Sequence, residues 1–241
     1  MILECDIGNT ACKWRVVDVG GKVLDRGYFN HAQQGFEALA PNCRFNRVRA
    51  MSVASAEIGL RLDSAMKHRY SLGVEWAKTS KNSFSVTNVY QDASRLGVDR
   101  WSAVVAAYQQ VKSAAVIIDA GSAITVDAVD GDGRHLGGYI VAGLNLMKAA
   151  LVSDTKGVRF DDERQRAGVD FGVSTDEAVH AGARAALLGV ALVAKQEAEK
   201  LFPGGYCLFL TGGDGEQLRP YLEGCNWQPD LVLDGLKWLL P

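Results

Sequence analysis

A short turn that combines a carboxylate, a glycine and a small polar residue occurs twice, as Asp6-Ile7-Gly8-Asn9-Thr10 and as Asp119-Ala120-Gly121-Ser122-Ala123. In each copy an apolar run leads into the turn, a second run follows it, and glycines open a third. Glycine at the tip of such a hairpin supplies φ freedom and leaves the neighbouring N–H groups open to a polyanion. One copy alone is typical of an ordinary hairpin turn. Two copies with matching flanks predict two related half-domains that face one nucleotide.

The first turn carries side chains that are suited to phosphate chemistry. Asp6 is placed to hold the Mg²⁺ of a nucleotide, mostly through water, and the N–H groups of Gly8 to Thr10 can meet phosphate oxygens. Lys13 brings a cation within reach, although its spacing fits an exposed strand lysine equally well. The turn therefore predicts a phosphate-binding loop and leaves the role of Lys13 open.

A second pair of charged side chains lies at Gly97-Val98-Asp99-Arg100-Trp101, where a loop becomes a helix. A carboxylate and a guanidinium stand side by side there. Such a pair at a helix start is usually a cap with a surface ion pair, so composition alone does not identify a site.

The elements that must position these groups follow one plan in both halves. Three strands joined by glycine turns come first, and alternating helices and strands follow. The result is an α/β chain in which the order βββαβαβα is used twice. The best boundary separates residues 1–112, with the first loop, from residues 113–241, with the second loop and a long helix. No linker rich in Pro, Gly or Ser separates the halves, so we expect an extensive interface with a central cleft.

Local patterns place several individual elements. The long helix is expected to begin at Ser174, with Glu177 reaching back to close a capping box. A short helix is expected over residues 34–39 and another over 214–222. The last strand of the second half is expected over 231–233.

Composition excludes several classes of protein. The chain has 241 residues, 48% hydrophobic and 22% charged, with a formal net charge of −2, which suits a soluble globular protein with a large core. Scattered Lys and Arg argue against nucleic acid as the main partner. The N-terminus has no basic segment before a long apolar one, and apolar stretches are broken well short of about 18 residues. We therefore expect a cytoplasmic protein that does not enter a membrane.

The five cysteines and four histidines are widely dispersed. They form no Cys-x-x-Cys, no His-Glu-x-x-His and no Cys/His pair at zinc spacing, so we interpret them as reduced core cysteines and structural histidines.

The duplicated plan, with an Asp-x-Gly hairpin in each half, resembles the superfamily of acetate and sugar kinases, Hsp70 and actin, whose halves are ribonuclease-H-like. The sequence has no G-x-x-x-x-G-K-[ST] and no G-x-G-x-x-G after a strand, which removes the usual support for P-loop and Rossmann folds. Phosphoryl transfer requires charge screening, an aligned nucleophile and a carboxylate that receives the hydroxyl proton.

An ordered set of motifs is similar to the type III pantothenate kinases over nearly the whole chain. After the first hairpin the set contains Tyr90, Leu96-Gly97-Val98-Asp99-Arg100-Trp101, the second hairpin extended to Asp127, and Gly137-Gly138-Tyr139-Ile140-Val141-Ala142-Gly143-Leu144. The resemblance implies ATP-dependent phosphorylation of pantothenate to 4'-phosphopantothenate, the first step of coenzyme A biosynthesis. It also implies a homodimer.

The resemblance further implies roles for individual residues. The ATP phosphate loop would consist of Asp6, Ile7, Gly8, Asn9, Thr10, Ala11, Cys12 and Lys13. Ser122 would contact ATP, Asp119 would bind K⁺ or NH₄⁺, and Asp99 would accept the proton. The pantothenate site would be formed by Tyr90, Gly97, Val98, Asp99, Arg100 and Thr175.

These roles agree with the chemistry of the side chains. Pantothenate has a carboxylate, which a planar guanidinium such as that of Arg100 can hold, and a primary hydroxyl, which needs a base such as Asp99. A monovalent cation would offset the repulsion between Asp119 and the nucleotide. One departure from the family is that segment 91–95 lacks the expected proline, which leaves the path of that loop open.

Two other functions stay open. The chain could be a kinase of the same superfamily that acts on a sugar or small acid, or a non-catalytic ATP-binding switch protein. A switch has no need for a proton acceptor, so the presence of both Asp6 and Asp99 favours the kinase.

Overall fold

The computed structural model describes residues 1–31, 33, 35–36, 39, 44–154, 159–161 and 168–241. Two compact units make up the chain: Met1–Gln110 with Asp230–Pro241, and Val111–Pro229. The change from the first to the second unit lies close to the expected boundary. The last segment differs from the expectation, because it groups with the first unit.

The first unit is built on a five-stranded sheet with the order β3-β2-β1-β4-β5. Its strands are β1 (Ile2–Ile7), β2 (Ala11–Val17), β3 (Val23–Asn30), β4 (Arg47–Ser52) and β5 (Val74–Trp76). β1, β2 and β3 are antiparallel, as the glycine turns predict, whereas β4 and β5 run parallel to β1. Leu3, Cys5 and Ile7 are fully buried in the core of this unit. Because side chains alternate along a strand, Glu4 and Asp6 lie on the opposite face of the sheet.

Two helices and a small hairpin complete the main part of the first unit: α1 (Ala56–Tyr70), β6 (Asn82–Ser83), β7 (Val86–Thr87) and α2 (Val98–Val111). α2 is buried on nearly all sides, in keeping with its lack of a continuous polar face. Its Trp101 is fully buried, and the indole N–H donates to the hydroxyl of Ser83 at 3.3 Å. The start of α2 is therefore held rigidly within the unit.

The second unit has a five-stranded sheet with the order β10-β9-β8-β11-β12. Its strands are β8 (Ala115–Ala120), β9 (Ala123–Val129), β10 (His135–Ala142), β11 (Cys207–Thr211) and β12 (Asn226–Trp227). β8, β9 and β10 are antiparallel, and β11 and β12 run parallel to β8. Order and directions repeat those of the first sheet, which confirms the duplicated α/β plan.

The helices of the second unit are α3 (Leu144–Asp154) and α4 (Thr175–Leu201). The predicted start of α4 is confirmed, since the Ser174 hydroxyl accepts the N–H of Glu177 at 3.2 Å. The Glu177 carboxylate reaches back one residue further than expected and accepts the N–H of Val173 at 2.9 Å. By length and composition α4 is also apolar enough to cross a membrane, contrary to the expectation from the sequence, but core helices pass the same test. One face of α4 lies in the core of the unit.

The chain ends in two short helices, α5 (Leu231–Asp234) and α6 (Leu236–Leu239). The strand expected over 231–233 is therefore wrong, and the last strand of the second sheet is β12. A run of three apolar residues fits a strand or a helix equally well, and here α5 packs against β1 with its apolar side chains buried. Gly235 permits close approach to α2, because a Cβ on it would lie 2.1 Å from the Ser102 hydroxyl.

Two other helices are expected from the sequence, over residues 214–222 and over residues 34–39. Residues 215–221 form a 3₁₀ helix with Pro220 inside it, not an α-helix, because proline removes a backbone donor. The helix expected over 34–39 includes residues outside those that the structure describes.

Ion pairs of a buried arginine connect the C-terminal segment with the first sheet. Arg15 donates to Glu4 and to Asp234, each at 2.7 Å. Burial lowers the pKa of Arg15, but the charges and hydrogen bonds of Glu4 and Asp234 together raise it above its usual value. Removing one member of such a group leaves an uncompensated buried charge, which costs about 3–5 kcal/mol. This ionic group explains why the last segment belongs to the first unit.

Candidate active site

The first Asp-x-Gly turn closes the hairpin between β1 and β2. The N–H of Gly8 donates to the carbonyl of Ala11 at 3.0 Å, and Asn9 and Thr10 are exposed at the tip. Asp6 lies directly opposite Lys13 in the strand register. Directly opposite side chains on one face of a sheet are neighbours, so the carboxylate and the ammonium belong to one end of the hairpin.

The glycine of each turn is not required for the backbone conformation. Neither Gly8 nor Gly121 has a positive φ, and a Cβ on Gly8 would lie 3.6 Å from the Ala11 carbonyl, an ordinary contact distance. The expectation that φ freedom explains these two glycines is therefore wrong. Their remaining advantage is that they place no side chain beside the exposed N–H groups.

Cys12 is fully buried on the core side of β2. A hydrogen bond with Cys5, burial and the charges of nearby groups raise the pKa of the Cys12 thiol far above its usual value. The side chain is thus a protonated core group, as the dispersed cysteine pattern predicts. Cys12 belongs to the expected phosphate loop, but a ligand could reach only its backbone and not its thiol.

The start of α2 brings Asp99 and Arg100 together as expected. The Asp99 carboxylate accepts the N–H of Arg100 at 2.7 Å. A Cβ on Gly97 would lie 2.5 Å from the same carboxylate oxygen, so the absence of a side chain at Gly97 leaves room for Asp99. Thr79 fixes the preceding residue by donating its hydroxyl to the Leu96 carbonyl at 2.8 Å.

A short chain of contacts connects this helix start with the first hairpin. The N–H of Val53, directly after β4, donates to the carbonyl of Ile7 at 3.0 Å. The same Val53 side chain lies 3.8 Å from the Cβ position of Gly97. β1 and β4 are parallel neighbours, so their carboxyl ends meet at one edge of the sheet. Asp99 therefore lies near the end of the strand that carries Asp6.

The segment before α2 contacts the buried side chain of Arg100. The Arg100 guanidinium, 6% exposed, donates to the Tyr90 hydroxyl at 3.2 Å. Fully buried Asn88 holds the loop from both sides, accepting the N–H of Tyr90 at 2.9 Å and donating to the Ala93 carbonyl at 3.4 Å. The sequence analysis missed Asn88, because only its burial distinguishes it from a loop asparagine.

The structure also gives the path of the loop that lacks the expected proline. Residues Ala93–Arg95 form a 3₁₀ turn, which Asp92 caps by accepting the N–H of Ser94 at 3.0 Å and its hydroxyl at 2.6 Å. The two hydrogen bonds from Ser94 lower the pKa of the Asp92 carboxyl. A side-chain cap thus starts a turn in the segment where proline was expected.

The second Asp-x-Gly turn closes the hairpin between β8 and β9 in the second unit. The N–H of Gly121 donates to the Ala123 carbonyl at 3.0 Å, and Ser122 is exposed at the tip. Gly143 packs on this tip: its N–H donates to the Ser122 carbonyl at 3.1 Å, and a Cβ on it would lie 2.3 Å from the Gly121 carbonyl. The close approach explains why glycine occupies position 143 in the motif Gly137–Leu144.

A glycine-rich loop after β11 approaches the same hairpin and was missed by the sequence analysis. Gly212 has a φ of +88°, and a Cβ on it would lie 2.4 Å from an oxygen of Asp119. The N–H of Asp214 donates to the Ala120 carbonyl at 2.8 Å. Burial raises the pKa of the Asp214 carboxyl, while the charge of Lys148 lowers it less strongly. The run Thr211-Gly212-Gly213-Asp214-Gly215 after a strand was the available signal.

Thr175 is the first residue of α4 and is exposed. A Cβ on nearby Gly172 would lie 2.3 Å from the backbone nitrogen of Ala178, so the chain before the helix is packed against its first turn. Thr175 belongs to the second unit, whereas Tyr90, Asp99 and Arg100 belong to the first.

Within the part of the chain that the structure describes, no group of three or more His, Cys, Asp or Glu residues is placed to hold a metal ion. Mg²⁺ is usually bound by one or two carboxylates together with substrate phosphates and water. Asp6, with a nucleotide, suits that requirement.

The sequence of this chain is similar to known proteins over most of its length. The family model for type III pantothenate kinase matches residues 2–195. A protein from Ectopseudomonas mendocina (strain ymp) named type III pantothenate kinase is 38% identical over 246 residues, covering 100% of this chain and 99% of that protein.

Solved structures are similar in fold. A predicted Baf family transcriptional activator from Campylobacter jejuni gives a TM-score of 0.63 at 23% identity, covering 99% of this chain and 96% of that one. A predicted 2-dehydro-3-deoxygalactonokinase from Sinorhizobium meliloti gives a TM-score of 0.57 at 14% identity, covering 98% and 97%. The expected actin-like ATPase fold with two ribonuclease-H-like halves is thereby confirmed. Taken with the family match and the full-length similarity, this fold shows that the chain belongs to the type III pantothenate kinase family.

Proposed function

We propose that the protein transfers the γ-phosphoryl group of ATP to pantothenate and forms 4'-phosphopantothenate in coenzyme A biosynthesis. The observation that carries the proposal is the position of Asp99, which joins the first hairpin through Val53 and Ile7 and lies beside Arg100. A phosphate loop, a base and a guanidinium in one unit meet the needs of phosphoryl transfer to an anionic alcohol.

The acceptor is held through its two functional groups. The pantothenate carboxylate binds Arg100 and the Tyr90 hydroxyl, which the loop held by Asn88 keeps in place. This leaves the primary hydroxyl near Asp99. Gly97, Val98 and Thr175 complete the proposed contacts with the acceptor.

In the chemical step the 4'-hydroxyl oxygen forms a bond to the γ-phosphorus, and the bond between that phosphorus and the β,γ-bridging oxygen breaks. ADP leaves with the electron pair, and the Asp99 carboxylate takes the hydroxyl proton. The N–H groups of Asn9 and Thr10 and the Lys13 ammonium hold the phosphate oxygens, because the Gly8 N–H already donates to the Ala11 carbonyl. We assign Ser122 to the ATP site from the second unit.

Two cations complete the proposal. Mg²⁺ held by Asp6 would screen the charge of the transferring phosphates. K⁺ or NH₄⁺ at Asp119 would offset the repulsion between that carboxylate and the nucleotide. Both assignments rest on the oxygen donors of the two hairpins.

An exposed apolar surface in the second unit supports a homodimer. Ile140 on β10 is 64% exposed and Leu146 on α3 is 53% exposed, and α3 contacts β10. β10 is also an edge strand of its sheet. Exposed apolar side chains along a sheet edge favour association with another chain, and a second copy is the occupant that the family suggests.

Sedimentation analysis tests the dimer. Ile140→Asp should yield monomers, whereas Val19→Asp, at a 97% exposed apolar residue of the first unit, should leave the dimer intact. Dimers of both variants would rule out this surface. We place the enzyme in the cytoplasm, where its substrate ATP is available, and assign it no nucleic acid or membrane partner.

The function is tested by incubating the protein with ATP, Mg²⁺, K⁺ and pantothenate and detecting 4'-phosphopantothenate by mass. A panel of sugars and small acids runs in parallel. Phosphorylation of another acceptor, with pantothenate untouched, would support the broader kinase alternative. ATP binding without phosphorylation of any acceptor would support the switch protein.

A further inference from the structure

His31 follows β3 directly and reaches the tip of the first hairpin. The side chain is 5% exposed, and its Nε2 lies 3.0 Å from the carbonyl oxygen of Gly8. The backbone carbonyl of His31 accepts a hydrogen bond from Arg61 of α1 at 3.0 Å. The imidazole is therefore anchored by β3 and α1 while it touches the proposed phosphate loop.

The contact determines which ring nitrogen carries the proton. A carbonyl oxygen only accepts hydrogen bonds, so Nε2 must be the donor to Gly8. The other ring nitrogen, Nδ1, is buried and has no hydrogen-bond partner among the described residues. A proton on Nδ1 would be buried without an acceptor there, which costs free energy, so the geometry favours the Nε2–H tautomer.

The hydrogen bond also sets the direction of the next backbone donor. The peptide group between Gly8 and Asn9 is planar and trans, so its C=O and its N–H point in opposite directions. Because His31 holds the Gly8 carbonyl toward the buried imidazole, the Asn9 N–H points away from it. Asn9 is exposed at the tip, where a ligand can approach.

We propose that His31 is a positioning residue that orients the Gly8–Asn9 peptide so that its N–H faces the phosphates of ATP. The proposal rests on the function assigned to the first hairpin. It gives a role in the reaction to a histidine that the sequence pattern assigned to structure alone. Its effect is confined to nucleotide binding, since His31 takes no part in the proton transfer at Asp99.

Two substitutions separate the hydrogen bond from the volume of the ring. His31→Leu fills similar space without a donor. His31→Gln restores an N–H donor at about the reach of Nε2. A net hydrogen bond contributes about 0.5–1.5 kcal/mol, so the leucine variant should raise the KM for ATP and the Kd for ADP about 2–13-fold. The KM for pantothenate should change less than twofold, and the glutamine variant should recover most of the affinity for ATP.

Tyr70→Phe is the matched control, because it also removes one hydrogen bond from a side chain to a backbone carbonyl in the first unit. The Tyr70 hydroxyl donates to the carbonyl of Leu39 at 3.1 Å, away from the hairpin tip. This variant should lose a similar amount of thermal stability and keep the KM for ATP. A leucine variant with wild-type ATP and ADP binding, or one indistinguishable from the control, would overturn the proposal.

If His31→Leu does not fold, a comparison of His31→Asn with His31→Gln tests the proposal. His31→Asn keeps an amide but is too short to reach Gly8 from the Nε2 position, so it should weaken ADP binding while His31→Gln does not. Equal binding by these two variants contradicts the proposal. Failure of the assigned function is seen separately, because the wild-type protein would then leave pantothenate unphosphorylated.

Discussion

The two Asp-x-Gly hairpins share a motif but differ in length by one residue and in how they are supported. In the first unit a side chain, the imidazole of His31, holds the Gly8 carbonyl. In the second unit the N–H of Gly143 holds the Ser122 carbonyl instead, whereas the carbonyl before the glycine is held by a backbone N–H in both units, that of Ile7 by Val53 and that of Ala120 by Asp214. The contact of Gly143 demands close approach and therefore glycine, whereas the imidazole of His31 reaches its hairpin without one. Duplication has kept the motif and changed one of the contacts that stabilise it.

The largest expected effect concerns chemistry that only the first unit contains. Asp99→Asn keeps the shape of the side chain and removes the proton acceptor, so kcat should fall by about 10²-fold or more while ADP binding is unchanged. Steady-state kinetics and calorimetry measure the two quantities. Asp92→Asn, the same change at an exposed cap on the preceding loop, should alter kcat less than twofold. An unchanged kcat in Asp99→Asn would remove this carboxylate from the mechanism.

The next effect concerns the cation assigned to the second hairpin. Asp119→Ala should lower activity by on the order of 10²-fold, the scale expected for the loss of an electrostatic contact, and abolish stimulation by K⁺. Wild-type protein should be active in KCl or NH₄Cl and poorly active in NaCl, at fixed ionic strength so that screening cannot imitate binding. Asp132→Ala, in a turn of the same unit, is the control. Equal wild-type rates in KCl and NaCl would refute the cation site.

A third substitution tests the difference in support directly. Gly143→Ala places a methyl group against the backbone of the second hairpin, so it should destabilise the protein by about 1–3 kcal/mol in urea unfolding. Gly8→Ala meets only an ordinary contact and should change the free energy of unfolding by less than about 0.5 kcal/mol. Gly182→Ala, in α4 with open space around it, should stabilise by about 0.5–1 kcal/mol. Equal losses at Gly8 and Gly143 would show that the two hairpins are supported alike.

The smallest effect sharpens the role of Asp99. A methyl group in Gly97→Ala would displace the Asp99 carboxylate without changing its charge, and misplacement of a reacting group by about 1 Å can cost up to 10²-fold. Because the side chain can rotate away, we expect a fall in kcat of about 5–10-fold, with the KM for ATP unchanged. A fall in ATP affinity alone would place Gly97 in the nucleotide site.

Much of the fold follows from local pattern. The alternation of apolar residues and the glycine turns predicted β1 to β3 and β8 to β10, and Ser174 with Glu177 predicted the start of α4. The segment 231–233 was misassigned because three apolar residues carry no period, and its burial depends on β1, which lies far away in sequence. Long-range packing decides such a segment, and one sequence does not contain that information.

The candidate site likewise contains residues that local sequence indicates and residues that only the three-dimensional structure reveals. The repeated turns drew attention to Asp6 and Asp119, and the resemblance to the kinase family added Asp99; the roles of all three remain predictions. Gly212 acts through a close approach between distant segments and Asn88 is distinguished only by its burial, so their types alone did not separate them from ordinary loop residues. His31 was interpreted as structural because a lone histidine has no motif, and its contact with Gly8 is visible only in three dimensions.

The ionic group of Glu4, Arg15 and Asp234 has a consequence for the order in which the chain is completed during synthesis. Arg15 and Asp234 are 219 residues apart in sequence. On the ribosome the second unit, which is continuous, can fold as soon as its own residues emerge. Arg15 and Glu4 must wait for a partner that is translated after the whole second unit. The first unit, although it is made first, finishes folding second.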